Sequence, residues 1–215
     1  MIRIIIYVAA LLSLGTSLVG QSFQSWSIAE VGYDLGRFDL EADYQLRHSY
    51  GPMALERRFA QVSVSYKILK DLKIGSAYRF GSDLRRQEFV PINRIAFLMQ
   101  YRYKVNRLTF RPRIQWQYQV RTVNEEDRIT QKFRLRMQGE YNIKKWKLDP
   151  KFAIEYFFSN EERSAYTSEK LRMTIGTERE IIDQLLLKVS YRYELGIEED
   201  SSNLNILQIA LSYSF

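Results

Sequence analysis

The only histidine of the 215 residues, His48, stands beside Ser49. An imidazole base next to a hydroxyl is the raw material of an acyl-transfer nucleophile. Such a pair needs a third group to orient the ring, and no residue can be assigned to that role. No catalytic residue, and no enzyme, is therefore predicted. Two acidic runs, Glu125-Glu126-Asp127 and Glu198-Glu199-Asp200, carry the oxygen ligands that hard cations take. Runs of like charge in polar segments read more simply as solvated loops, so no metal and no cofactor is expected. The chain has no cysteine, which excludes disulfides, thiolate metal sites and a lipid-bearing N-terminal cysteine. It also lacks a glycine-rich phosphate loop.

What remains is charge laid out with period two. Between Leu108 and Val120 the even positions are Leu108, Phe110, Pro112, Ile114, Trp116, Tyr118 and Val120; the odd ones are Thr109, Arg111, Arg113, Gln115, Gln117 and Gln119. A helix would scatter these apolar side chains around its axis, whereas a strand puts them on one face. Extending the pattern along the chain places Arg94, Arg102, Lys104, Arg111, Arg113, Arg121, Lys132, Arg134, Arg136, Lys151, Arg172, Lys188 and Arg192 on the polar face. Glu41, Asp43, Glu140, Asp149, Glu155, Glu178 and Glu194 share it. If that face lines a lumen, the positive surplus favours anions in a narrow passage. The same charges could instead pair across strands and fill the interior, leaving a non-conducting barrel whose surface loops bind partners. Nucleic acid is not expected, because the basic residues and the aromatic ones fall on opposite faces.

The elements that would position these charges are strands. Ten alternating segments follow residue 36, their apolar faces beginning at Phe38, Ala60, Leu72, Ile95, Leu108, Phe133, Trp146, Leu171, Leu185 and Leu207. Each approaches the roughly 9–11 residues that a tilted strand needs to cross a bilayer. Short connections at 69–71, 106–107, 144–145 and 179–183 alternate with longer polar ones at 48–57, 81–90, 122–128, 159–167 and 196–202. That asymmetry is expected of periplasmic turns and outer loops. A soluble β-sandwich alternates too. The barrel is favoured by aromatic residues near strand ends, among them Tyr101, Tyr103, Trp146, Tyr191, Tyr193 and Tyr213, and by the charge of the polar face. A negative mean hydropathy is compatible, since lipid-facing and lumenal residues cancel in the average. Residues 26–33 form an eleventh strand-like segment; because bacterial barrels favour even counts, it reads either as an accessory strand or plug or as the sign of a misplaced strand boundary elsewhere. Pro112 and Pro150 are expected near strand ends or bulges.

The two ends carry their own signals. Arg3, the apolar run from Ile4 to Leu14 and the small and polar residues Gly15, Thr16, Ser17 and Gly20 have the layout of a secretory signal peptide, predicted to be cleaved between Gly20 and Gln21. Removing it lowers the formal charge from +7 by the single charge of Arg3. The C-terminus alternates Leu207, Ile209, Leu211, Tyr213 and Phe215 up to the last residue, which resembles the terminal signal read by the outer-membrane assembly machinery. Tyr213 and Phe215 are the predicted assembly residues. The expected partners are that machinery and outer-membrane lipids.

Several short motifs resemble the bacterial outer-membrane family known as domain of unknown function 2490 (DUF2490). They are Trp26 at the start of the mature chain, Tyr44 to Arg47, the Arg134 and Arg136 alternation, Glu155 to Phe158 (EYFF), Leu171-Arg172, and Leu211 to Phe215 (LSYSF). The resemblance implies an outer-membrane barrel and carries no catalytic residues. The fold expected is all-β: an antiparallel up-and-down transmembrane β-barrel of about 10 to 12 strands with a charged lumen, spanning residues 21–215.

Overall fold

The structure, a computed structural model, describes residues 22–49, 55–85, 88–123, 126–144, 148–161, 165–197 and 201–215. Residues 1–20, expected from the sequence to be a signal peptide, fall outside that set, as do Glu125, Lys145, Trp146 and the run Glu198 to Asp200. The described residues contain strands and turns and no helix. The strands are β1 (Ser22–Leu35), β2 (Phe38–Ser49), β3 (Leu55–Leu69), β4 (Leu72–Arg85), β5 (Glu88–Tyr101), β6 (Tyr103–Val105), β7 (Leu108–Val123), β8 (Glu126–Tyr141), β9 (Asp149–Glu161), β10 (Thr167–Ile182), β11 (Leu185–Gly196) and β12 (Leu204–Ser214). Sequential neighbours pair antiparallel, β5 and β6 both pair with β7, and β1 pairs with β12, so the sheet closes on itself as a barrel.

β5 and β6 are one stave in one register along β7, interrupted where Tyr101 and Arg102 lie opposite Pro112 and Arg111. Proline has no N–H to give to the ladder, and the break falls where that bond is missing. Pro150 is the second residue of β9, at a strand end. Counted this way the barrel has eleven staves. An odd number of alternating staves makes the first and last run the same way, and β1 and β12 pair in parallel from Ser22↔Leu204 to Gly32↔Ser214. The segment read as an accessory strand or plug is thus a full stave, bonded to β2 on one side and closing the barrel on the other. The even-number preference misled here because it assumes an antiparallel seam.

Alternation sorts side chains as the sequence predicts. The outer face carries large exposed apolar residues on nearly every strand, such as Val31, Leu40, Val62, Ile74, Ile95, Phe97, Ile154, Ile175, Ile209 and Leu211. A water-facing surface of this kind would be an association hazard. Against lipid it is the stable arrangement, because closure leaves no unpaired backbone edge in the hydrocarbon. On this face the ring of Phe152 lies over Gly139, where a Cβ would sit 2.0 Å from the ring, so the aromatic shields a bare stretch of backbone. Among the turns, Gly36 (φ 73°), Asn106 (φ 54°) and Gln184 (φ 71°) adopt left-handed backbone, and Asp34 accepts the Gly36 N–H at 2.7 Å.

The strands extend further than expected at the opposite end. β4 runs to Arg85 and β5 begins at Glu88; β7 runs to Val123 and β8 begins at Glu126. Most of the residues expected in loops at 81–90 and 122–128 are therefore strand, as are 179–182, which belong to β10. The ladder thus continues through these segments, and Leu84, Phe89, Ile181 and Ile182 are exposed there.

Candidate functional site

The lumen is built mainly from residues of one parity on each stave; on β10 a register shift between Ser168 and Lys170 brings the adjacent Glu169 and Lys170 both to it. At its centre is Glu155 of β9, 3% exposed. Its carboxylate accepts from Arg134 at 2.7 Å, Arg113 at 3.3 Å and Arg172 at 3.3 Å. Arg172 also pairs with Glu194, which pairs with Lys170 at 2.8 Å; Lys170 reaches Glu169 at 3.6 Å, and Glu169 accepts from Lys132 at 2.6 Å. Charge is thus distributed across β7, β8, β9, β10 and β11 as one network. Buried charges are tolerated when paired in this way, and a multivalent hub fixes several staves at once. Separate clusters lie elsewhere: Arg111 and Lys151 on Glu140, with Lys151 also on Glu178; Lys188 on Glu30; Arg57 and Arg121 on Asp83.

A second system runs beside the ion pairs. Among the described residues, three aromatic side chains point inward, against the general rule for this barrel: Trp26, Phe59 and Phe157, all buried. Each is covered by arginines. The Arg47 guanidinium lies 3.6 Å from the centre of the Trp26 ring and 4.9 Å from Phe59, while Arg79 lies 3.8 Å from Phe59. Arg192 and Arg172 are 5.0 and 5.4 Å from Trp26, and Arg172 and Arg134 are 4.8 and 4.7 Å from Phe157. Guanidinium groups stack on aromatic faces and keep their in-plane N–H donors free to bond. The result is a belt of alternating arginine and aromatic groups around much of the lumen wall. Phe59 fits because its cross-strand partner is Gly81: a Cβ there would stand 2.3 Å from the Phe59 Cβ and 2.2 Å from the Arg58 carbonyl.

Within the belt lies a cavity of about 500 Å³. Its lining carries ten basic residues, Arg47, Arg57, Arg79, Arg94, Arg121, Lys132, Arg134, Lys170, Arg172 and Arg192, against five acidic ones, Glu30, Glu41, Asp43, Asp83 and Glu169. Four of the arginines, Arg47, Arg79, Arg94 and Arg192, have no carboxylate within ion-pair distance among the described residues. Amide oxygens stand in for carboxylates at three of them: Gln45 accepts from Arg47 Nε at 2.9 Å, and Gln61 accepts from Arg79 Nε at 3.0 Å and Arg94 at 3.4 Å. A neutral acceptor orients a guanidinium without cancelling its charge.

Of the residues singled out from the sequence, Arg94, Lys132, Arg134, Arg172, Arg192 and Glu41 line this cavity. Arg113, Glu155 and Glu194 belong to the ion-pair network, and Arg136 donates to Gln138 at 2.8 Å. Arg111, Glu140 and Glu178 form their own cluster. Arg102 is placed differently from the expectation: its side chain is 49% exposed and bonds Asp71 of the β3–β4 turn at 2.9 Å, because the stave is interrupted there. His48 and Ser49 are neighbours on a strand and so point to opposite faces, and a base and its nucleophile cannot meet that way. Tyr213 and Phe215 lie on the outer face in ring contact at 4.8 Å, and the Phe215 N–H closes the seam by donating to Gly32 at 3.0 Å. Sequence reading missed Arg47, Arg57, Arg79 and the three inward aromatics. Parity could have found them, since Arg57, Phe59 and Gln61 share the face of Ser63 and Ser65.

Fold and site together define a transmembrane β-barrel with a charged, arginine-rich lumen. More particularly, the chain belongs to the family described as protein of unknown function (DUF2490), whose model matches residues 23–204. No curated protein matches the chain. Among solved structures, it is similar to the beta domain of the Bordetella autotransporter BrkA, with 10% identity and a TM-score of 0.48 over 77% of this chain and 80% of that one. It is also similar to a loop L8 deletion mutant of OmpT, an outer membrane protein of Vibrio cholerae, with 16% identity and a TM-score of 0.46 over 81% of this chain and 58% of that one.

Proposed function

We propose that the protein resides in the bacterial outer membrane, delivered by cleavage of residues 1–20 and assembled through its C-terminal strand, and that its lumen is a narrow passage favouring anions. The observation that carries this reading is the unbalanced cavity: ten basic residues on its wall against five acidic ones there and two more, Glu155 and Glu194, behind it, with four arginines that have no carboxylate within ion-pair distance among the described residues. Permanently charged guanidinium groups in a constricted, low-dielectric wall lower the barrier for anions and raise it for cations. The test is single-channel recording of the purified barrel in planar bilayers under a KCl gradient. Discrete conductance steps with a reversal potential displaced toward chloride are expected. A folded barrel that stays silent, or one selective for potassium, refutes the reading.

One observation favours the alternative, a non-conducting barrel whose surface binds partners. The network around Glu155 ties five staves together across the interior, and barrels little wider than eight strands are commonly filled by their own side chains. Silence in bilayers combined with normal outer-membrane levels would leave that reading standing.

A further inference from the structure

We propose that the lumen holds a binding site for a small phosphate dianion, at the arginine forks of Arg47, Arg79 and Arg94. The inference rests on the reading of the lumen as anion-favouring and gives that lumen a preferred occupant. Arg47 and Arg79 flank the same ring, Phe59, at 4.9 and 3.8 Å. Each has its Nε held by a glutamine oxygen, Gln45 or Gln61, so each fork is fixed on one edge. Arg94 donates to the same Gln61 oxygen as Arg79, which brings two guanidinium groups together with a single neutral acceptor between them. Like charges juxtaposed in this way repel, and among the described residues no carboxylate comes within ion-pair distance of either; the nearest acid, Asp43, is held off by accepting from the Gln61 amide at 2.9 Å and offsets them only in part.

An independent observation points into the same cavity. Gln117, 2% exposed and part of the lining, has its amide nitrogen buried with no acceptor among the described residues, and so does the Nε of Arg94. Buried donors without acceptors are costly, so an acceptor entering the cavity gains from whichever of them it reaches. A tetrahedral phosphate suits the arrangement better than chloride, because planar forks engage paired oxygens in bidentate fashion. It suits it better than a monocarboxylate too, because two negative charges face three positive ones. The cavity, about 500 Å³, also leaves room for the organic part of a small phosphate ester.

The test is calorimetric titration of the purified barrel with inorganic phosphate in a chloride background. One site per barrel is expected, with affinity weakened about tenfold or more by Arg94→Gln, which removes one charge-assisted fork. Arg111→Gln, on the separate Glu140 cluster, should change affinity less than about twofold. Retained folding of each variant is checked by the mobility shift between heated and unheated samples in detergent gels. No saturable binding, or equal binding by wild type and a folded Arg94→Gln, overturns the site. Anion-selective current without phosphate binding likewise removes the site and keeps the passage. Phosphate binding in a barrel silent in bilayers supports the site and removes the passage.

Discussion

Replacing Glu155 with glutamine keeps shape and removes one charge from the centre of the lumen. Three guanidinium groups share that carboxylate, Arg134 at 2.7 Å and Arg113 and Arg172 at 3.3 Å. At an effective dielectric near 20, unit charges about 4 Å apart interact by about 4 kcal/mol, which sets the scale of each lost attraction. Arg172 keeps Glu194, and Arg113 is partly open to water, so Arg134 bears most of the loss. Breaking a buried pair by removing one partner costs about 3–5 kcal/mol, and the retained partners place Glu155→Gln near the lower end, about 3 kcal/mol. That is roughly a hundredfold in the folded-to-unfolded ratio. Guanidinium unfolding in lipid vesicles, followed by tryptophan emission, measures it directly. The control is Arg94→Gln: Arg94 has no carboxylate partner among the described residues, so its removal should leave stability unchanged or raise it. A Glu155→Gln barrel with the wild-type midpoint, or an Arg94→Gln barrel as unstable as Glu155→Gln, would refute the division of the lumen into a paired network and an unpaired arginine site.

Gly81→Ala should destabilise by about 1–3 kcal/mol, because its Cβ meets the Arg58 carbonyl at 2.2 Å and backbone must move; an unfolding midpoint equal to wild type would contradict it. In single-tryptophan variants, brominated lipid should quench Trp116, which stacks on Phe97 on the outer face, and spare Trp26; equal quenching would put Trp26 outside the lumen. In this cysteine-free chain, Ser201→Cys should react with impermeant thiol reagents on intact cells and Arg107→Cys should not; labelling at 107 would invert the topology. Deleting Phe215 should lower the amount of inserted barrel while leaving processing of the N-terminus normal, as immunoblots of membrane fractions would report.

Barrel, charged lumen and most lumenal residues were legible in the sequence because alternation is a local property: Leu108 to Val120 declares its two faces without reference to any other strand. Properties that depend on partners were not. Arg102 has the parity of the lumen, yet Pro112 on the facing stave breaks the ladder beside it and lets it turn to Asp71. Trp26, Phe59 and Phe157 were hidden by the assumption that aromatic residues face lipid; arginines stacked on their rings make an inward position stable. The split between paired and unpaired arginines was equally unreadable, since Arg113 and Arg94 look alike until cross-strand register gives one of them Glu155.

The parallel seam between β1 and β12 has a consequence for how such a barrel can change size. A chain that weaves up and down gains or loses staves most simply as hairpins, two at a time, and two staves leave the parity of the count untouched. Growth by hairpins therefore carries the parallel seam along unchanged, however large the barrel becomes. To reach an even count the chain would have to gain or lose a single stave at one end, which would move Ser22 or Phe215 to the other rim. Joining those two ends of the barrel to permute the chain meets the same obstacle, because a linker would have to cross its full height, as a twelfth stave or past the arginine belt, rather than turn at one rim.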